Sequence, residues 1–130
     1  MLTPSEFRKL AVSLKGIPYI LGAESSPDRI PKALDCSELV QWLYARNGTP
    51  ITDGAWLQYA ATNAVTGAPQ IGDLVFLRNN AARSNGIGHV AVITAKLPNG
   101  DWEIVEARGR AYGVVVTTLS YWRTRPHFVG

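Results

Sequence analysis

The sequence predicts an α+β domain in which N-terminal helices pack on a small antiparallel sheet. Two patterns and their order lead there. Apolar residues recur at helical spacing in the first half of the chain, and short runs rich in Val, Ile and aromatics, bounded by Gly, Asn and Pro, fill the second half. Helices first and strands afterwards is the order of an α+β fold. At 130 residues the chain fits one domain, 1–130, with length for a single core.

Thr3-Pro4-Ser5-Glu6 opens the first helix, with Thr3 as N-cap, Pro4 at the first helical position and Glu6 closing a capping box. Phe7, Leu10, Ala11 and Leu14 repeat at helical spacing, so this helix should end before Gly16. Residues 16–34 are rich in Gly, Pro and Ser and lack any period, which predicts a surface loop; loops of such length usually carry function. In the second helix Asp35 is the N-cap, Glu38 stands at the capping-box position, Leu39, Val40, Leu43 and Tyr44 form the buried stripe, and Gly48 is the stop. A short third helix over 54–62 carries Trp56 and Tyr59. Strands are expected over 73–78, 89–95, 102–107 and 113–118, with Asn99-Gly100 marking a hairpin turn between the second and third. No internal repeat, linker or low-complexity tract interrupts the series.

A hydrophobic content of 46% and a charged content of 18% describe an ordinary globular chain. Thirteen basic against ten acidic residues give a net charge of +3, which favours an anionic polymer without the clustered Lys/Arg runs that mark nucleic-acid binding. One Cys and two His fall short of a Cys/His zinc site, and no other cofactor is indicated. The N-terminus has no basic region followed by an apolar stretch, so no secretory signal is expected in this sequence, and no segment is long enough to span a membrane.

The sole cysteine, Cys36, lies where the second helix begins. Backbone N–H groups and the dipole at a helix start stabilise an anion, so a cysteine there tends towards the reactive thiolate; the alternative is a small buried apolar side chain. A thiolate nucleophile needs a base, and the base needs a polar group to hold it. Of the two histidines, His89 opens an otherwise apolar strand behind a glycine-rich loop, a place packing explains poorly. His127, in the tail segment Arg125-Pro126-His127-Phe128, needs no such explanation. For the orienting group, antiparallel pairing across an even loop sets Glu106, and not Glu103, on the face of His89. A two-residue Asn99-Gly100 turn would place Glu106 opposite Ile93; a shift of one step, or a bulge, would place it opposite Ala91 and diagonal to His89. Otherwise Glu106 is a solvated strand carboxylate.

Taken together, Gly16-Ile17-Pro18-Tyr19-Ile20-Leu21-Gly22, Asp35-Cys36-Ser37, Ile71-Gly72-Asp73-Leu74-Val75-Phe76 and Gly88-His89-Val90-Ala91-Val92 follow in the order of the NlpC/P60 family of cell-wall cysteine peptidases, which this sequence resembles from about Gly16 to Trp122. The resemblance implies a papain-like core with Cys36 as nucleophile and His89 as base. It implies that Tyr19 and the Cys36 backbone N–H hold the oxyanion, and that Asp35 and Ser37 bind the amino end of a stem peptide, although Asp35 is equally explained as a helix cap. Two departures stand out. Glu38 replaces the usual glycine after Asp-Cys-Ser, where it would narrow the cleft, and the third catalytic position, usually His, Asn or Gln, falls to Glu106. The stretch from His89 to Glu106 is similar to the related CHAP amidases, in which glutamate serves as third group.

The expected activity is therefore cleavage of a peptidoglycan stem-peptide amide through a thioester acyl-enzyme, with residues 22–34 shaping the cleft. The alternatives are a CHAP-like N-acetylmuramoyl-L-alanine amidase or other amide hydrolase, an inactive wall-binding module, or a metal site formed by Cys36, His89 and Glu106. Peptidoglycan is the expected partner, nucleic acid is not, and a monomer is expected. Without a secretory signal, delivery to the wall would follow another route: as a phage lysin or tail component, as a secreted toxin, or as a domain of a larger exported protein.

Overall fold

The computed structural model describes residues 1–129. Helices α1 (Pro4–Ser13), α2 (Cys36–Arg46) and α3 (Ala55–Ala61) precede the strands β1 (Leu74–Leu77), β2 (His89–Lys96), β3 (Trp102–Ala107) and β4 (Val114–Thr118), and a short helix α4 (Leu119–Thr124) follows. The strands form one antiparallel sheet in the order β1-β2-β3-β4. The predicted elements lie within a residue or two of those observed, the usual uncertainty of element ends. The fourth helix is not among them: the helices are not all N-terminal, and α4 is a correction to that order.

Local chemistry explains the starts. Thr3 and Glu6 make both bonds of the capping box, Glu6 N–H donating to Thr3 Oγ1 at 3.1 Å and Thr3 N–H to Glu6 Oε1 at 2.9 Å. Asp35 caps α2 by accepting from the Glu38 N–H at 2.8 Å, and Thr118 caps α4 by accepting from the Tyr121 N–H at 3.3 Å.

The sheet has an apolar cluster on each face. Val90, Val92, Val105, Ala107 and Val114 pack against Phe7, Ala11 and Leu14 of the α1 region and Leu39, Val40 and Leu43 of α2. Val75, Leu77, Ala91, Ile93 and Ile104 form the other cluster with Leu119 and Trp122 of α4. Leu39 and Leu43 are fully buried, so truncating either to Ala is expected to cost about 2–5 kcal/mol. Arg8 of α1 locks its helix to the sheet by a two-pronged ion pair to the buried Glu103, at 3.0 and 2.9 Å, and Glu103 also accepts from Thr94 Oγ1 at 2.8 Å.

Both sheet edges meet irregular chain. Along β1, Arg78 N–H donates to His127 O at 2.8 Å and Val129 N–H to Phe76 O at 3.1 Å, with a bridge between Leu77 and Phe128. At the start of β4, Val114 exchanges backbone bonds with residues 16 and 17, both 2.9 Å. Gly113 makes that approach possible: it has φ +65, and a Cβ there would lie 2.7 Å from Ile17 O.

Candidate active site

Cys36 is the first residue of α2 and His89 the first of β2. Because each heads its element, the two meet at one end of the sheet, where the imidazole hydrogen-bonds Glu106 and lies against Cys36. Its Nε2 lies 3.3 Å from Glu106 Oε2, which leaves Nδ1 for the sulfur. Cys36 is largely buried, 8% exposed.

The register that delivers Glu106 takes two single-residue steps. The β2–β3 connection is not the two-residue turn but the three-residue loop Pro98-Asn99-Gly100: Leu97 N–H donates to Asp101 O at 2.8 Å and Gly100, at φ +86, donates to Leu97 O at 3.0 Å. Lys96 then opposes Trp102 and Ala95 opposes Glu103, whereas Ile93 opposes Ile104 and Val92 opposes Val105, with Thr94 as the bulged residue. Either step alone would turn Glu106 to the wrong face. The two together restore the face and, by continuing the register one residue, set Glu106 beside Ala91 and diagonal to His89. Glu103 falls on the opposite face, as its bond to Arg8 requires.

Glu106 is fully buried and surrounded by cations. Arg125 Nη1 donates to its two oxygens at 2.9 and 3.2 Å, and Arg108 Nε lies 3.5 Å from Oε1. Burial opposes ionisation, but the bond and charge of His89, then Arg125 and Arg108, outweigh it and hold the carboxyl below its ordinary value. For His89, burial likewise works against the charged form. The bonds to Cys36 and Glu106 and the negative charge at both prevail, and the imidazole is raised from 6.5 to about 9. At neutral pH the base is therefore an imidazolium set between sulfur and carboxylate. Trp122 covers it, the two rings stacked 5.4 Å apart at 12°.

The other expected site residues border Cys36. A backbone bridge joins Tyr19 to Leu34, two residues before the cysteine. Burial, then the charges of Cys36 and Asp35, raise the Tyr19 hydroxyl above its ordinary value while Arg110 opposes them, so it stays a proton donor. Asp35 accepts from the N–H groups of Glu38 and Gly22 and from Ser37 Oγ, at 2.8, 3.0 and 3.2 Å. It thus caps the helix and pins the loop as well. Ser37 is buried, and its carbonyl accepts from Gln58 Nε2 at 3.1 Å. His127 is exposed on the segment paired with β1.

Glu38 corrects an expectation. It neither closes the capping box nor narrows the cleft; it turns inward to accept from Ser25 N–H at 3.0 Å and Ser25 Oγ at 2.7 Å. Burial, against the Ser25 bonds and with Asp53 and Asp35 nearby, raises its carboxyl. Trp42 Nε1 donates to Ser26 O and Arg29 O, both at 3.0 Å, so α2 holds down the loop that follows Gly22. Three contributors had no signal in the sequence reading: Trp122, Arg125 and Arg108. The Leu119/Trp122 spacing and the Arg125-Pro126 break hint at a helical turn, but nothing local reports that Arg125 returns to Glu106.

A separate cavity of about 570 Å³, lined by Tyr44, Tyr59, Phe76, Ile93 and Phe128 among others, contains none of Cys36, His89 or Glu106. Among the described residues no group of three or more His, Cys, Asp or Glu side chains is arranged to hold a metal ion.

The sequence model of the NlpC/P60 family matches residues 16–129. This chain belongs to the NlpC/P60 family. Among solved structures, a Staphylococcus aureus protein described as similar to a lipoprotein of the NLP/P60 family is 27% identical with a TM-score of 0.67, over 98% of this chain and 39% of that one. The peptidoglycan hydrolase RipB of Mycobacterium tuberculosis is 26% identical with a TM-score of 0.69, over 97% of this chain and 61% of RipB. This NlpC/P60 chain thus spans less than two thirds of either protein. RipD of the same bacterium, a non-catalytic NlpC/p60 domain protein adapted to peptidoglycan binding, shares the fold at 20% identity with a TM-score of 0.65, over 100% of this chain and 98% of RipD. No curated protein matches the chain. The fold is the α+β arrangement of that family, and no helix among the described residues is long and apolar enough to cross a membrane.

Proposed function

We propose that this chain is a peptidoglycan hydrolase that cuts an amide bond of the stem peptide, with Cys36 as nucleophile, His89 as acid and base, and Glu106 as the third member. The observation that carries the reading is the set Cys36, His89, Glu106, with the imidazole bonded to Glu106, set against Cys36 and raised to about 9. Family membership and the hydrolase RipB among its structural relatives support the substrate class.

Cys36 Sγ attacks the carbonyl carbon, forming the C–S bond as the carbonyl electrons move to oxygen. The Cys36 backbone N–H and the Tyr19 hydroxyl receive that oxyanion. His89 gives its proton to the leaving nitrogen, the C–N bond breaks, and a thioester remains. Neutral His89 then takes a proton from water, the hydroxide adds to the thioester, and collapse releases the acid and the Cys36 thiolate. Glu106 stabilises the imidazolium at each turn. Asp35 and Ser37 flank Cys36 in the chain and would receive the amino end of the stem peptide, with Asp35 serving as cap at the same time.

The test is digestion of purified peptidoglycan by this protein and by Cys36→Ala, with mass spectrometry of the fragments. New amine and carboxylate termini made only with Cys36 are expected, and they name the bond, stem-peptide or sugar–peptide. No Cys36-dependent product from walls of several chemotypes overturns the reading and leaves a wall-binding role such as that of RipD.

A further inference from the structure

We infer that Arg125 is a positioning residue, which holds the Glu106 carboxylate ionised and aimed at His89, and that α4 exists to carry it there together with Trp122. The inference rests on the proposed catalytic set and extends it to a fourth and fifth side chain.

A fully buried carboxylate without cations takes up a proton rather than remain charged. Glu106 is such a group, and of the groups that face it Arg125 makes the closest contact. His89 Nε2 is at 3.3 Å, and Arg108 Nε at 3.5 Å with its Nη2 already donating to Tyr121 Oη at 2.7 Å. One nitrogen of Arg125 spans both carboxylate oxygens, so it fixes the rotation of the carboxylate and with it the direction of Oε2 towards the imidazole. Cys36 lies against the same ring.

Trp122 supplies an independent observation. Its indole N–H is buried with no hydrogen-bond partner among the described residues, an arrangement that costs about 1–3 kcal/mol. The ring is therefore oriented by its faces: it stacks on His89, and the Arg125 guanidinium lies 4.7 Å from its centroid. Trp122 and Arg125 are three residues apart, one helical step, and Arg125 is the C-cap with Pro126 after it. Proline stops the helix there and leaves Arg125 extended at φ −72, ψ 140, turned back to the sheet.

The two roles an arginine could have here predict opposite signs. A cation that merely sits near the imidazole weakens its basicity, so removing it would raise the His89 midpoint. A cation that keeps Glu106 charged and aimed strengthens it, so removing it would lower the midpoint. The experiment is an imidazole NMR titration of the labelled full chain, with His89 told from His127 by a His127→Gln variant, in wild type, Arg125→Met and Arg125→Lys. The pH dependence of wall cleavage is measured alongside. Arg125→Met is expected to lower the midpoint by about one pH unit and kcat about tenfold with little change in KM, and Arg125→Lys to recover more than half of both. A midpoint unchanged or raised in Arg125→Met, or a Lys variant no better than Met, overturns the inference. If Arg125→Met does not fold, Arg125→Gln, which keeps a donor without charge, replaces it with the same outcomes. Failure of the catalytic reading looks different: wall cleavage would not depend on Cys36, whereas the titration needs no substrate.

Discussion

Replacing Glu106 by Gln removes one buried charge and keeps the size of the side chain. The His89 midpoint stands about 2.5 units above 6.5, and at 1.36 kcal/mol per unit the folded protein favours the imidazolium by about 3.4 kcal/mol. The ring is only 12% exposed, so solvent screens little of this. Cys36 and Glu106 share the upward push while burial works against both, so losing Glu106 lowers the midpoint from about 9 towards the ordinary value. A folded midpoint above the unfolded one stabilises fully below pH 6.5, and that stability is lost as pH rises through about 9. Between pH 6 and 10 the wild type loses up to about 3.4 kcal/mol through this group, and Glu106→Gln loses less. Thermal melts of both proteins across that range read the difference. The gap in Tm is expected to be widest at pH 6 and to narrow by several degrees by pH 10. Two parallel curves would refute the pairing of Glu106 with a charged His89. In the cleavage reaction the same change moves the alkaline limb of the pH profile down from about 9.

Arg8→Ala leaves the buried Glu103 carboxylate with Thr94 alone, and Arg8 is the main reason that carboxyl is held below its ordinary value. A lowered carboxyl stabilises above its unfolded pKa and ceases to as pH falls through the folded one, so the variant should lose Tm at pH 7 and little below pH 3; equal losses at both would count against the pair. Gly113→Ala puts a Cβ 2.7 Å from Ile17 O at a positive φ, so urea unfolding should show a loss of about 1–3 kcal/mol, and an unchanged midpoint would contradict the close approach. Glu38→Gln keeps an acceptor for Ser25 and removes a charge that burial disfavours. Because the Glu38 carboxyl is raised, its ionised form weakens the fold above its folded midpoint. The variant should be at least as stable as wild type at pH 7, an advantage that denaturant titration should find gone at pH 4.

The parts of this molecule written in short-range chemistry were legible. Thr3, Glu6 and Asp35 mark helix starts because capping is a matter of three or four residues, and the β2 alternation placed His89 and Ala91 on one face. What escaped depends on contacts far apart in the chain. Asn99-Gly100 reads as a two-residue turn; with Pro98 before it, Gly100 instead closes a three-residue loop. Thr94 has no local reason to bulge, since its hydroxyl answers to Glu103 and thereby to Arg8. Glu38 looked like a capping-box residue until a serine thirteen positions earlier claimed it. Helix α4 is six residues long, too short for periodicity to declare, and its two contributions to the site are contacts with residues 89 and 106.

The segments that flank the sheet have a consequence for solubility. Outer strands are where chains stick to one another, because their unpaired amide groups offer a template for a foreign strand. Here β1 has much of that template already occupied by residues 127–129, and β4 begins under residues 16 and 17. The β1 edge thus leaves little room for an intruder to add a fifth strand, and any sheet-to-sheet association between copies should run through β4 beyond Val114.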